Sequence, residues 1–368
     1  MTTQRISKLF ELMKQNKLET IAINPGASLF YLTGLRFHLM ERPVVLFVNP
    51  STSPLIVLPE LEVLKVEQSS IALEPIPYAD DPSSWQTAFN RAMKTLKLQH
   101  KIIGVEPTQI RFLEMDFIRK AVDGIEFIPA NTVLTSLRVI KDSAEIERIR
   151  KAVQIAETAL LATKPQIKIG KTEKEIASEL TLQLLKAGSD TVFPFQPIVS
   201  SGPNSANPHA VPTDRKLNNG DMLVIDWGAA YEGYISDLTR TFAIGSLSQK
   251  FSEIAEAVLA ANKAGCESVT PNIPLGTIDD AARTIISKAG FGDYFTHRTG
   301  HGIGLEGHED PYLFGGNSTK MSVGMCFTVE PGIYIPGKGG VRIEDNVVVT
   351  VSGHEVLSTL DRKVEILG

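Results

Sequence analysis

The chain has 368 residues, enough for two domains that each bury a core. Hydrophobic residues make up 43% and charged residues 21%, as in a soluble globular protein. The net charge of −5, with Lys and Arg scattered rather than clustered, argues against a nucleic-acid or acidic-membrane binder.

The two cysteines, Cys266 and Cys326, read as buried free thiols, which suits a reducing compartment. Met1 to Lys17 is a charged amphipathic stretch, not the apolar core of a signal peptide. No run approaches the ~20 apolar residues that span a bilayer. The expectation is a cytoplasmic protein with no membrane and no nucleic-acid partner.

Residues 1–130 read as a first α/β domain. Ile6, Leu9, Phe10 and Met13 follow helical spacing. Thr20–Ile23, Val44–Val48, Leu55–Leu58 and Ile102–Val105 are short β-branched runs and predict strands. Ser84–Leu98 and Pro107–Ala121 predict helices, the first with Trp85, Ala88, Phe89, Ala92 and Leu96 on one face. The domain holds no cluster of metal-binding or nucleophilic residues. Its most distinctive features are Phe30–Gly34, FYLTG, and the polar loop that follows, through His38 and Glu41.

Residues 131–142 read as a junction, and 143–368 as a second domain. Asp142 or Ser143 can cap a long helix, and Thr172 to Glu175 forms a capping box for another that Gly188 closes. Phe193–Ser201 predicts a strand. Two further helices are expected, from about Ser248 to Glu267 and from a Thr277 cap to near Gly290. Strands return between Cys326 and Val351. There is no internal repeat at solenoid period.

The centre of the second domain is Met222–Thr241, MLVIDWGAAYEGYISDLTRT, which reads as a β-hairpin. If Tyr231 and Glu232 form a two-residue loop, Asp226 and Asp237 lie directly opposite, with Cβ atoms ~5 Å apart. If Gly233 takes the left-handed position of a bulged turn, the register moves by one residue. In both cases two carboxylates approach in an apolar setting, where they cannot both stay ionised without compensation. A multivalent cation would supply it, so further ligands are expected. Candidates are His301 in GHGIGLEGHE, Glu330 in TVEPG and Glu344 in VRIED. Taken singly, each Glu could instead be an ion pair, for example Glu344 with Arg342 or Arg240. Taken together, four acids in strand context and a glycine-flanked His predict one shared metal site. These are hard donors without a thiolate, which suits Mn, Co or Zn. Four carboxylates match two divalent ions, the ~3.5 Å pair that hydrolases use to acidify water and polarise a carbonyl.

Two motifs are decoys. Gly302-x-Gly304-x-x-Gly307 matches a dinucleotide fingerprint, but His308–Pro311 follows where a helix should open. Gly332–Lys338 approaches a phosphate loop, but Gly339 stands where a hydroxyl is required. Of the remaining histidines, His100, His297 and His354 read as structural or solvated. His209, in a polar loop, and His308, seven residues past His301, are candidates to line the cavity above the metals.

The segments DWGAAYEGYISDLTRT, GHGIGLEGHEDP, TVEPGIYIP and VRIEDN, with SSGPNSANPH, LRVIKDSAEIERIRKA and YLTG upstream, resemble the pita-bread metallopeptidases across essentially the whole chain. The two-domain layout is similar to the Xaa-Pro dipeptidases (prolidases) and Xaa-Pro aminopeptidases. The resemblance implies an α/β architecture: a creatinase-like N-terminal α/β domain, then a C-terminal pita-bread α+β domain with a curved antiparallel sheet. It implies two divalent ions, Mn foremost, with Co or Zn as alternatives. Asp226 would chelate one ion, His301 the other, with Asp237 and Glu344 bridging. Glu330 would complete the site and act as general base. His209 and His308 would bind substrate, Arg342 would orient ligands and Tyr334 would line the cavity.

The implied reaction is hydrolysis of Xaa-Pro bonds in short proline-containing peptides, by a homodimer. Phe193 and Phe195 are candidates for an apolar pocket that takes the proline ring. Gly307 stands where the family pattern has a bulky apolar residue. Dipeptidases and aminopeptidases differ in what closes the cleft; here that would be Leu35–Pro43, whose Arg36, His38 and Arg42 could meet a dipeptide's carboxylate. Dipeptidase is the preferred reading. Xaa-Pro aminopeptidase, a metal-free creatinase-like hydrolase and a non-catalytic binding module are the rivals, and the intact ligand set argues against the last two.

Overall fold

The computed structural model describes residues 2–368; Met1, the start of the amphipathic stretch, lies outside them. The chain divides into two compact units, Met1–Arg138 and Val139–Gly368. No helix among the described residues is long and apolar enough to cross a membrane.

In chain order the first unit contains α1 (Thr2–Gln15), β1 (Ile21–Ile23), α2 (Ala27–Thr33), β2 (Val45–Val48), β3 (Leu55–Pro59), α3 (Val63–Val66) and β4 (Glu74–Tyr78). These are followed by α4 (Trp85–Leu96), β5 (Ile102–Val105), α5 (Phe112–Ala121), β6 (Glu126–Pro129) and α6 (Asn131–Arg138). The strands form one mixed sheet in the order β4-β3-β2-β1-β5-β6. The apolar face of α4 packs Trp85, Phe89 and Met93 onto Phe47, Val57 and Ile103 of that sheet. Sequence patterning missed β4 because it carries two prolines; as an edge strand it tolerates them. The expected junction at 131–142 holds α6 instead, because Val133, Leu134 and Leu137 share a helical face and are buried. The FYLTG motif is a helix end: Gly34 is left-handed at φ 73° and its N–H donates to the Phe30 carbonyl.

The second unit opens with α7 (Ser143–Thr163), whose Asp142 and Glu145 form a reciprocal capping box. Thr172 and Glu175 form another at α8 (Glu173–Lys186). Next come β7 (Ile198–Ser201), β8 (Met222–Trp227), β9 (Ala230–Tyr231), β10 (Tyr234–Ile235), β11 (Leu238–Ile244), α9 (Gln249–Glu267) and α10 (Gly276–Lys288). The remaining strands are β12 (Gly300–Gly302), β13 (Glu309–Leu313), β14 (Cys326–Val329), β15 (Gly332–Ile335), β16 (Gly339–Arg342), β17 (Asp345–Thr350), β18 (Gly353–Val356) and β19 (Glu365–Leu367). The strand expected at 193–201 covers only its last four residues. Thr277 does not cap α10; its hydroxyl donates back to the Pro274 carbonyl at 2.7 Å.

Two larger sheets carry this unit. One has the order β19-β11-β8-β7, the other β13-β12-β14-β17-β18. An isolated antiparallel bridge between Thr239 and Glu344 ties them together. Helices α7 and α8 cover the first sheet, burying Ile149, Val153, Ala156 and Leu180 against Ile225, Trp227 and Leu238. Helix α9 buries Ile254, Val258 and Ala261 with Ile286 of α10 against Met222, Ala243, Ile333 and Val341. Cys266 and Cys326 are buried and free.

Candidate metal centre

The hairpin sets the first two acids. Tyr231 pairs with Tyr234, so Glu232 and Gly233 are the turn residues, at φ 50° and 86°. Positive φ at both positions is the mark of the twist-matched two-residue hairpin turn. Asp226 therefore faces Thr239, and Asp237 is displaced by two positions from the directly opposed alternative. A shift of two keeps the same face, whereas a shift of one would have turned Asp237 away. The two aspartates are diagonal neighbours. Asn346 clamps Asp237 at both backbone groups, accepting from its N–H at 3.1 Å and donating to its carbonyl.

The other three acceptors come from the second sheet. His301 lies in β12, which passes so close to its neighbours that a Cβ at Gly300 would run into the Thr328 carbonyl and one at Gly302 into the Asp310 carbonyl. The glycines flanking His301 are thus required by strand approach. Glu330 follows β14 and Glu344 precedes β17. His301 Nε2 lies 3.3 Å from Glu330 Oε1 and 3.7 Å from Asp237 Oδ2.

Ligand atoms fall into three overlapping groups, each within 4.8 Å: Asp226, Asp237 and Glu344; His301, Glu330 and Glu344; and Asp237, His301 and His308. Such separations suit donors that each stand ~2.0–2.2 Å from a shared ion. Asp237, His301 and Glu344 each belong to two groups. Asp226 Oδ1 and Glu344 Oε1 are fully buried and accept no hydrogen bond. Buried carboxylate oxygens are normally satisfied, so two orphans in one cluster mark a place for cations. The donor set fits two divalent ions.

Electrostatics point the same way. Burial, followed by repulsion from neighbouring acids, pushes the Asp237 and Glu344 carboxyls well above the ordinary range, and burial raises Asp226. Burial lifts Glu330 to about 7 and drives His301 down to about 3, leaving a neutral imidazole able to coordinate. Without cations the cluster holds protons; divalent ions would displace them.

Arg342 is the internal counter-charge and is 2% exposed. Its Nη2 donates to Asp226 Oδ2 at 2.7 Å, its Nη1 to the Tyr334 hydroxyl at 2.8 Å and its Nε to Thr239 Oγ1 at 3.0 Å. The Thr239 hydroxyl in turn donates to Glu344 Oε2 at 2.7 Å. His297 Nδ1 lies 2.7 Å from the Arg298 carbonyl and can only donate to it. Its Nε2 therefore accepts from the Tyr334 hydroxyl at 2.9 Å. The ion pair considered for Glu344 does not form: Arg342 pairs with Asp226, while Arg240 pairs with Asp345 and reaches only the Glu344 carbonyl. Thr239 and Asn346 escaped sequence reasoning, while His297, read from sequence as structural or solvated, is a structural histidine that fixes Tyr334. The signal was period two along the strands, which puts Thr239 beside Asp237 and Asn346 beside Glu344.

The other candidates are placed less centrally. The His308 ring lies against His301, tilted by 36° with centroids 3.9 Å apart. His209 is exposed, outside the three ligand groups, yet near enough for its charge to favour the Asp226 carboxylate. Phe193 packs against the α7–α8 core, and Phe195 is half-buried. His38 is exposed in the first unit. Both decoys fail in context: 302–307 opens no helix, and 332–338 belongs to the β15–β16 hairpin.

Residues 147–351 match the metallopeptidase family M24, and residues 5–140 match the creatinase/prolidase N-terminal domain. An Xaa-Pro dipeptidase of Pyrococcus horikoshii is 34% identical over 98% of both chains. The structure is similar to a recombinant prolidase from Thermococcus sibiricus, at a TM-score of 0.93 and 33% identity, covering 100% of this chain and 99% of that one. It is also similar to an X-Pro aminopeptidase from Thermotoga maritima, at 0.86 and 31%, covering 98% and 99%. With a creatinase-like first domain and a pita-bread second one, the chain belongs to metallopeptidase family M24.

Proposed function

We propose that this chain hydrolyses the Xaa-Pro bond of dipeptides with two divalent ions, Mn foremost, held by Asp226, Asp237, His301, Glu330 and Glu344. The observation that carries this reading is the overlap of the ligand groups at Asp237, His301 and Glu344 together with the orphaned oxygens on Asp226 and Glu344. Asp226, Asp237 and Glu344 would hold one side of the centre, and His301, Glu330 and Glu344 the other. Two bound ions would lower the pKa of a water and polarise the scissile carbonyl.

The protein's own groups do the rest. Glu330, whose carboxylate lies 3.3 Å from His301 Nε2, is the candidate to take the attacking water's proton and return it to the leaving nitrogen. His308, packed on His301, and His209 orient the substrate. Arg342 holds Asp226 and, through Thr239, Glu344 in place, and Tyr334 is fixed between Arg342 and His297. Proline's nitrogen has no N–H, so recognition rests on ring shape, with Phe195 as the candidate contact beside Phe193. His38 and the Leu35–Pro43 loop are assigned to closing the cleft in a homodimer. Two free buried thiols support a reducing, cytoplasmic setting. We assign 1–130 and 143–368 as the two functional domains.

The similarity to an X-Pro aminopeptidase supports a second reading, action on longer peptides. A paired assay with Mn separates the two, using Ala-Pro and Ala-Pro-Ala with Glu330→Gln as control. The dipeptidase reading expects cleavage of Ala-Pro alone; equal or better cleavage of Ala-Pro-Ala rejects it.

A further inference from the structure

Arg298 lies on the segment that leads from α10 into β12. Its backbone is firmly set. Arg283 donates to the carbonyls of Phe295 and His297, and Thr299 donates through its N–H and hydroxyl to Asp279. The side chain is half-buried, with its guanidinium carbon 4.3 Å above the centre of the Tyr312 ring. An arginine stacked in this way keeps the donor edge of its fork free. Its fork meets His308 Nδ1 at 3.5 Å, too far for more than a marginal hydrogen bond.

Neighbouring arginines are committed. Arg342 holds Asp226, Arg240 holds Asp345 and Arg283 holds Asp279. Among the described residues no carboxylate pairs with Arg298. In the first unit, Arg42 is already engaged by Asp80 at 2.6 Å and Glu41 at 3.2 Å, and Arg36 lies over Phe30. Neither loop arginine offers so uncommitted a fork.

We propose that Arg298 is the receptor for the C-terminal carboxylate of a dipeptide substrate, and so a specificity-determining residue. The assignment rests on the Xaa-Pro hydrolase reading above. In an Xaa-Pro dipeptide the carboxylate lies one residue beyond the scissile carbonyl, a reach of ~3.5 Å. A receptor for it stands a hydrogen bond beyond that reach. Arg298 lies 3.5 Å from His308 Nδ1, and the His308 ring lies 3.9 Å from that of His301, centre to centre. A bidentate guanidinium–carboxylate pair supplies direction as well as charge, and a longer peptide places a neutral amide there instead.

The test uses the Mn-loaded full chain with Ala-Pro and its C-terminal amide, in wild type, Arg298→Met and Arg298→Lys. The wild type is expected to favour the acid by roughly 10- to 100-fold in kcat/KM, the worth of a hydrogen-bonded charge. Arg298→Met is expected to collapse that ratio, mainly through KM for the acid, and Arg298→Lys to restore part of it. A ratio that survives Arg298→Met, or a parallel loss on both substrates through kcat, overturns the assignment. Absence of cleavage of either substrate by the metal-loaded wild type overturns the hydrolase reading itself, and the assignment with it.

Discussion

Removing Arg342 should expose the charge balance of the metal centre. The guanidinium is buried, donates to Asp226, Tyr334 and Thr239, and is the counter-charge in contact with a cluster of four acids. Arg342→Leu keeps apolar volume but leaves those acids without it. Breaking a buried pair by removing one partner costs about 3–5 kcal/mol. At about 2–4 °C per kcal/mol for a unit of this size, the metal-free melting temperature should fall by roughly 6–20 °C.

The deficit should depend on pH. Asp226, Asp237, Glu330 and Glu344 already titrate above their ordinary values, and losing Arg342, which favours their ionised forms, raises them further. A raised carboxyl contributes stability that is present below the unfolded-state pKa of ~4 and is lost as pH rises through the folded value. The gap between wild type and variant should therefore be small at pH 5 and large at pH 8. Mn should narrow it, because bound ions supply the acids of the variant with the positive charge that Arg342 gives in wild type, and an ion at 100 times its Kd contributes about 2.7 kcal/mol to the state that binds it. Thermal melts of both proteins at the two pH values, with chelator or with Mn, decide the matter. A gap independent of pH, or unaffected by Mn, refutes the reasoning.

Two further outcomes are expected. Lys141 and Glu309 form a buried ion pair at 2.6 Å, with side chains 1% and 6% exposed, and Glu309 faces Gly302 next to His301. Lys141→Met should cost about 3–5 kcal/mol in urea denaturation and weaken Mn binding, whereas a surface pair such as Lys174–Asp214 should cost less than about 1 kcal/mol. Burial holds His297 at about 4, below the ordinary 6.5, so the unfolded chain takes up a proton that the folded one refuses. Stability present above pH 6.5 should then be lost as pH falls to 4, by about 3 kcal/mol for this group. His297→Gln should lose less than wild type over that range, and equal losses would contradict the assignment.

Much of this site was legible because its ligands sit in strand contexts where an acid is anomalous. Asp226, Glu330 and Glu344 interrupt β-branched runs, and His301 is framed by glycines that the strand crossing demands. The helix caps at Asp142 and Thr172 were equally clear, since they depend on residues three apart. The hairpin register was not, because the choice between turns at 231–232 and 232–233 is made by pairing along the whole of β8 and β11. The β4 strand was hidden by two prolines that only an edge position tolerates. Arg298 carried no signal: an arginine becomes informative only once its neighbours are known to be committed elsewhere and it is not.

The central claim is that five side chains hold two catalytic ions. The most direct measurement is metal content per chain, by mass spectrometry after equilibration with Mn and gel filtration, alongside Ala-Pro hydrolysis on the same samples. Wild type should retain two ions per chain and Glu344→Gln fewer, with activity following occupancy. Fewer than about one ion per chain in active wild type, or full hydrolysis after chelation, would contradict it.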